Sequence, residues 1–110
     1  MVKKDFISEK HLMFSFPEIR RFSFMVAREV RKDLDALAVL RDMKITLNME
    51  AIHFVDSQGF DFLVKMARDA ESCRYEFEMI HVLPEVTELI RLLHLEEVLG
   101  TGPTTYKSCV

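Results

Sequence analysis

Between Lys44 and Ala70 the apolar residues change their period, and few architectures accommodate that change. Ile45, Leu47 and Met49 alternate with Thr46, Asn48 and Glu50, the period-two pattern of a strand with one face in a core. A second apolar patch, Ile52, Phe54 and Val55, leads to Asp56-Ser57-Gln58-Gly59. From Phe60 the spacing becomes helical: Phe60, Leu63, Val64, Ala67 and Ala70 form a stripe, with Asp61, Lys65, Arg68 and Asp69 turned elsewhere. A serine therefore stands where a strand ends and a helix begins, its hydroxyl near the helix's free N–H groups. This junction is the candidate site.

The flanking chain repeats the alternation of periods. Residues 2–16 read as a hairpin, with Leu12, Phe14 and Phe16 on one face and Pro17 ending the strand. Over 22–40 the stripe Phe22, Val26, Val30, Leu34 and Leu37 predicts a helix. Tyr75, Phe77 and Met79 alternate with Glu76 and Glu78, a further strand running to Val82. Pro84 and Glu85 suit the first turn of a last helix, whose expected buried stripe is Val86, Leu89, Ile90 and Leu93. Residues 100–110 read as a short edge strand or a loose tail. The order β-β-α-β-α-β-α implies an α/β fold. Its sheet is mixed but largely parallel, with helices packed against it, right-handed crossovers and an antiparallel edge from the hairpin. The 110 residues read as a single domain, with the hairpin at 2–16, the motif region at 43–99 and the tail at 100–110.

Charge narrows the function classes. A net charge of −3 with scattered Lys and Arg gives no electrostatic case for nucleic acid. No apolar run is long enough for membrane insertion, and residues 1–15 lack the apolar core of a signal peptide. Cys73 and Cys109 make no disulfide framework, so a cytoplasmic location is expected. His11, His53, His81 and His94 show no metal-ligand spacing, Cys73 has no activating neighbour, and neither a phosphate loop nor a nucleophile elbow occurs. No catalytic residue, metal site or cofactor is expected, and the chain reads as a non-enzyme.

The segments 45–49, 54–60, 81–86 and 92–95 together resemble the STAS domain, shared by bacterial anti-sigma-factor antagonists and the cytoplasmic tails of sulphate transporters. The hallmark is a hydrophobic strand, then Asp-Ser-x-Gly-hydrophobic opening a helix, here Asp56-Ser57-Gln58-Gly59-Phe60. A Pro-x-Val helix follows the next strand, here Pro84-Glu85-Val86. In antagonists of this family the serine after the aspartate is phosphorylated by a kinase that doubles as the anti-sigma factor. Carried over, Ser57 is the phosphoacceptor, and phosphorylation switches off binding to an anti-sigma factor/serine protein kinase. Two positions depart from the pattern. Gln58 stands where the family usually has Ser or Thr. Ser15-Phe16-Pro17-Glu18-Ile19 replaces the usual Gly-x-Leu-Asp turn, so that Glu18 takes the place of the acid.

The resemblance implies a partner-binding set of Asp56, Ser57, Gln58, Gly59, Phe62 and Glu18. The alternative it also allows is an unphosphorylated STAS-type cytoplasmic subunit of a lipid or anion transporter. A homodimer is a further open alternative. A phosphate at the helix N-terminus would meet free N–H groups while repelling an acidic or apolar partner. The plainer reading is that Asp56 or Ser57 caps the helix. Phe62 and Met66 lie off the apolar stripe; Met66 is assigned to a second layer of core, and Phe62 either joins it or forms an exposed strip beside Ser57.

Overall fold

The computed structural model describes residues 2–36, 42–71, 75–95, 99 and 104–106. In it the period-two segments are strands and the longer-period segments are helices. In chain order these are β1 (Lys3–Ser8), β2 (His11–Ser15), β3 (Arg21–Phe22), α1 (Phe24–Ala36), β4 (Met43–Asn48), β5 (Phe54–Val55), α2 (Ser57–Glu71), β6 (Tyr75–Ile80), α3 (Pro84–Leu92) and β7 (Thr104–Tyr106). The main sheet has the order β1-β2-β4-β6-β7. β2, β4 and β6 run parallel through the α1 and α2 crossovers, while β1 and β7 pair antiparallel at the edges. The fold is therefore α/β and mostly parallel, with the hairpin edge that the alternation in 2–16 predicts.

The hairpin turns without an Asn-Gly or Asp-Gly pair. The Ser8 hydroxyl accepts the Lys10 N–H at 3.3 Å, and the register shifts between Phe6 and Ser8, so a serine turn and an irregularity do the work of those residues. At the other edge, β7 settles part of the 100–110 segment as an edge strand; its remaining residues lie outside those described.

One face of the sheet is the core. Leu12, Phe14, Phe16, Ile45, Leu47, Met49, Tyr75, Phe77 and Met79 are all buried on it. Tyr75 donates its hydroxyl to the Met66 carbonyl at 3.1 Å, and Lys4 reaches Asp33 at 3.7 Å, which places α2 and α1 over that face. Burial pushes the Tyr75 phenol far above its ordinary range.

The opposite face is partly exposed and mostly polar, with Met13 and Ile80 among its side chains, and one of its polar residues is fully buried. Thr46 is only 1% exposed. It donates to Glu78 Oε2 at 2.8 Å and accepts from His11 Nε2 at 2.7 Å. A hydroxyl has one proton, so the donation to Glu78 assigns the second proton to His11. Lys44 stands 3.4 Å from Glu78, and the chain of contacts ties β2, β4 and β6 together.

Several boundaries differ from the periodicity. Phe22 belongs to β3, and α1 starts at Phe24; the predicted continuation through 37–40 lies outside the described residues. The strand over 75–82 ends at Ile80. Helix α2 begins at Ser57, three residues before its apolar stripe becomes legible. Phe62 and Met66 are buried while Val64 is only half-buried, because α2 is pressed between the sheet and α1 and buries a wide arc. In α3, Val86 and Ile90 are buried but Leu93 is half exposed: the helix ends at Leu92, and the Leu95 N–H turns back to the Ile90 carbonyl at 2.9 Å.

Candidate functional site at the start of helix α2

A second, two-residue sheet positions the junction. β3 and β5 pair in parallel, with Arg21 opposite Phe54 and Phe22 opposite Val55. The Arg20 carbonyl accepts the N–H groups of His53 and Phe54 at 2.8 and 3.1 Å, and the Phe22 carbonyl accepts that of Asp56 at 3.3 Å. The strand that delivers Asp56 to the helix is thereby fixed by its backbone. The Arg21 guanidinium lies over the Phe54 ring, 5.6 Å from its centroid, an arrangement that favours an arginine at a partly exposed aromatic.

Asp56 is the cap. Its Oδ1 accepts the Gly59 N–H at 2.8 Å and its carbonyl accepts the Phe60 N–H at 2.9 Å, the bonding of an N-cap residue. Ser57 is the first helical residue and is exposed, and among the described residues no hydrogen bond takes up its hydroxyl. Gly59 is buried. A Cβ there would run into the Phe22 carbonyl oxygen and stand 2.9 Å from Val55 Cγ1, so glycine is what lets α2 start against β3. Beneath the turn, Phe22 meets Phe16 edge-on at 5.4 Å and Phe62 at 6.0 Å. This aromatic stack makes a rigid floor.

The family model that matches this chain is that of the STAS domain, and it runs over residues 11–108. The chain belongs to the STAS domain family. No curated protein matches the sequence closely enough to count as a relative. Among solved structures, this STAS domain is similar to the anti-sigma factor antagonist SpoIIAA in its unphosphorylated form, with a TM-score of 0.68 and 14% identity over 90% of this chain and 85% of that one. It is similar also to a sulfate transporter family protein from Wolinella succinogenes, with a TM-score of 0.71 and 17% identity over 87% and 76% of the two chains. The Bacillus cell fate determinant SpoIIAA in its phosphorylated form matches with a TM-score of 0.66 and 12% identity over 90% and 88%. At such identities the likeness is one of fold.

The residues that sequence reasoning assigned to partner binding in this STAS domain divide into two sets. Asp56, Ser57, Gln58 and Glu18 reach the surface, with Ser57, Gln58 and Glu18 exposed and Asp56 half-buried. Gly59 and Phe62 are buried against this chain's own residues and shape the surface from below, with Phe62, 9% exposed, showing only an edge in the groove between α1 and α2. Glu18 has a conformation that its sequence did not announce. The Ile19 N–H bonds the Phe16 carbonyl at 3.1 Å, Pro17 follows at the second position, and Glu18 has φ of 66°. That is a type II turn with glutamate where glycine or asparagine fits without strain.

Other features of this end escaped the sequence. His53 donates to Glu85 at 2.8 Å, joining the start of β5 to the first turn of α3. The Glu85 carboxyl is held below its ordinary value, first by its own backbone N–H and then by the His53 bond, with the charge of Arg20 adding to both. Phe24, Met25 and Phe54 are exposed around the same turn; a one-dimensional stripe could not show this, since all three sit at element ends. On its other side Ser57 opens onto a groove of about 730 Å³ walled by Phe60, Val64, Leu93 and Leu95, with Lys65 and Arg68 beside them. Among the described residues no three His, Cys, Asp or Glu side chains gather as metal ligands, and no helix is long and apolar enough to cross a membrane.

Proposed function

We propose that this STAS domain is a non-enzymatic, cytoplasmic binding module of the anti-sigma-factor antagonist type. It holds an anti-sigma factor that is also a serine kinase and releases it when Ser57 is phosphorylated. The observation that carries the reading is the division of labour at α2. Asp56 makes the cap, which leaves the adjacent serine exposed and its hydroxyl uncommitted at a helix N-terminus. A phosphate there would carry roughly −1.5 to −2 charges, stabilised by the helix's N–H groups yet repulsive to a partner resting on the same surface. Modification then abolishes docking without unfolding the domain. Ser57, Gln58 and Glu18 form the contact surface, Asp56 holds the turn, and Gly59 and Phe62 support it. The fold likeness to SpoIIAA, an anti-sigma factor antagonist that exists in unphosphorylated and phosphorylated forms, supports the same reading.

The test is phosphopeptide mass spectrometry on protein isolated from its host under growth and stress, paired with Ser57→Ala and Ser57→Asp. Occupancy at Ser57 that changes with condition, and opposite phenotypes of the two variants, are expected. A serine unmodified in every condition, with both variants equally inactive, would instead assign the domain to a constitutive subunit of a membrane transporter.

A further inference from the structure

Helices α1 and α2 leave a groove of about 400 Å³ between them, beginning at Gln58. Its apolar lining is Phe24, Ala27 and Phe62. Phe24 is 49% exposed and the neighbouring Met25 is 67% exposed, although both stand in the first turn of α1, where a polar residue would cost nothing in packing. The walls carry Arg28, Arg31 and Lys65 against a single acid, Asp61. This is a local excess of positive charge on a chain whose net charge is −3.

Those cations are available. Among the described residues Arg28 makes no ion pair or hydrogen bond. Arg31 and Lys65 meet Asp35 and Asp69 only at 3.7 and 3.9 Å, as solvent-exposed pairs one turn along their own helices. Such exposed pairs are weak and yield readily to a better carboxylate.

From this we infer that the α1–α2 groove receives an acidic amphipathic helix of the partner protein. The helix sets an aliphatic anchor between Phe24 and Phe62 and its carboxylates on Arg28, Arg31 and Lys65. An apolar floor between basic walls fits the helix-in-groove mode of recognition, in which apolar anchors recur on one face and charge sets orientation. The proposal rests on the reading of Ser57 as a switch and extends it. Gln58 lines the groove's end and Ser57 precedes it, so a phosphate there would add negative charge where the acidic helix enters.

The experiment titrates the full chain with a synthetic amphipathic helix bearing leucine at i, i+3, i+4 and i+7 and glutamate on its other faces. Its lysine counterpart is the control, and NMR amide shifts and anisotropy are the readouts. The expected result is binding of the glutamate helix alone, weakening as salt rises, with shifts confined to α1 and α2 around Phe24, Arg28 and Phe62. Arg28→Glu and Phe24→Ser, both at exposed positions and checked for folding by circular dichroism, should each weaken binding roughly tenfold. Equal binding of both helices, shifts elsewhere, or indifference to Arg28→Glu would overturn the proposal. So would preferential binding to phosphatidylglycerol vesicles, or protection of the same amides by self-association.

Ser57→Asp separates the two readings. A roughly tenfold loss of peptide affinity supports both. Groove binding that ignores Ser57→Asp keeps the groove and removes the switch. Condition-dependent phosphate on Ser57 in a protein whose groove binds nothing removes the groove and keeps the switch.

Discussion

At the first turn of α2 the sequence offers two good N-cap side chains in succession, Asp56 and Ser57. The 2.8 Å bond from the Gly59 N–H goes to Asp56. Asp56→Ala should therefore lower stability by about 1 kcal/mol in urea unfolding, whereas Ser57→Ala, at an exposed position with no bond to lose, should stay within about 0.5 kcal/mol. The reverse ranking would hand the cap to Ser57 and remove its availability to a kinase. Gly59→Ala meets the Phe22 carbonyl and Val55. Because the obstacle is backbone, an overpacking cost of about 1–3 kcal/mol is expected, read by the same unfolding curves. The motif Asp56-Ser57-x-Gly59 is legible as a unit, but which oxygen caps was not, since both residues are good N-caps and only the delivery angle of β5 chooses between them.

At the scale of elements, the β2-β4-β6 ladder carries a polar line that strand alternation does not foretell. Thr46 lies on the polar side of β4 and is nonetheless buried, bridging His11 and Glu78. Replacing it with valine preserves shape and removes both bonds. Thr46→Val should cost about 1–3 kcal/mol, and a neutral result would mean that water replaces the hydroxyl. The end of α3 shows the opposite imbalance. His94 has φ of 58°, and the Leu95 N–H reaches back to the Ile90 carbonyl, a Schellman ending with histidine where glycine is favoured. His94→Gly should raise stability by about 0.5–1 kcal/mol, measured by thermal or urea unfolding. The strands, helices and their order could be read from periodicity because each element buries a face of regular period. β3 and β5 could not: two residues carry no period, and the pair exists only because Arg20–Phe22 and residues 53–55 meet in space.

For the molecule as a whole, the switch reading requires that charge at Ser57 alter association and leave folding intact. Ser57→Asp should keep stability or raise it by about 0.3–1 kcal/mol through the helix dipole while abolishing partner binding; unfolding of this variant would defeat the mechanism. The His53–Glu85 contact ties α3 to the same end and gives stability a pH dependence of definite sign. Glu85 has its folded-state value depressed below the ordinary 4.5, so the unfolded chain binds the proton more readily. Its contribution is present above pH 4.5 and is lost as pH falls through the folded value. Glu85→Gln should therefore flatten the acid side of the stability–pH curve by lowering stability at neutral pH, with stability below the folded value nearly unchanged. Local order explains what could be read from this sequence by itself: the α/β class, the hairpin edge and the parallel crossovers follow from apolar period, and the likeness to the STAS domain rests on the segments 45–49, 54–60, 81–86 and 92–95. Tertiary structure alone decided that Asp56 is the cap, that Phe62 and Gly59 are buried, that Glu18 is strained, and that cations from α1 and α2 flank one apolar groove. Each of those depends on which residues far apart in the chain come within a few ångströms, a distance that periodicity along the chain does not encode.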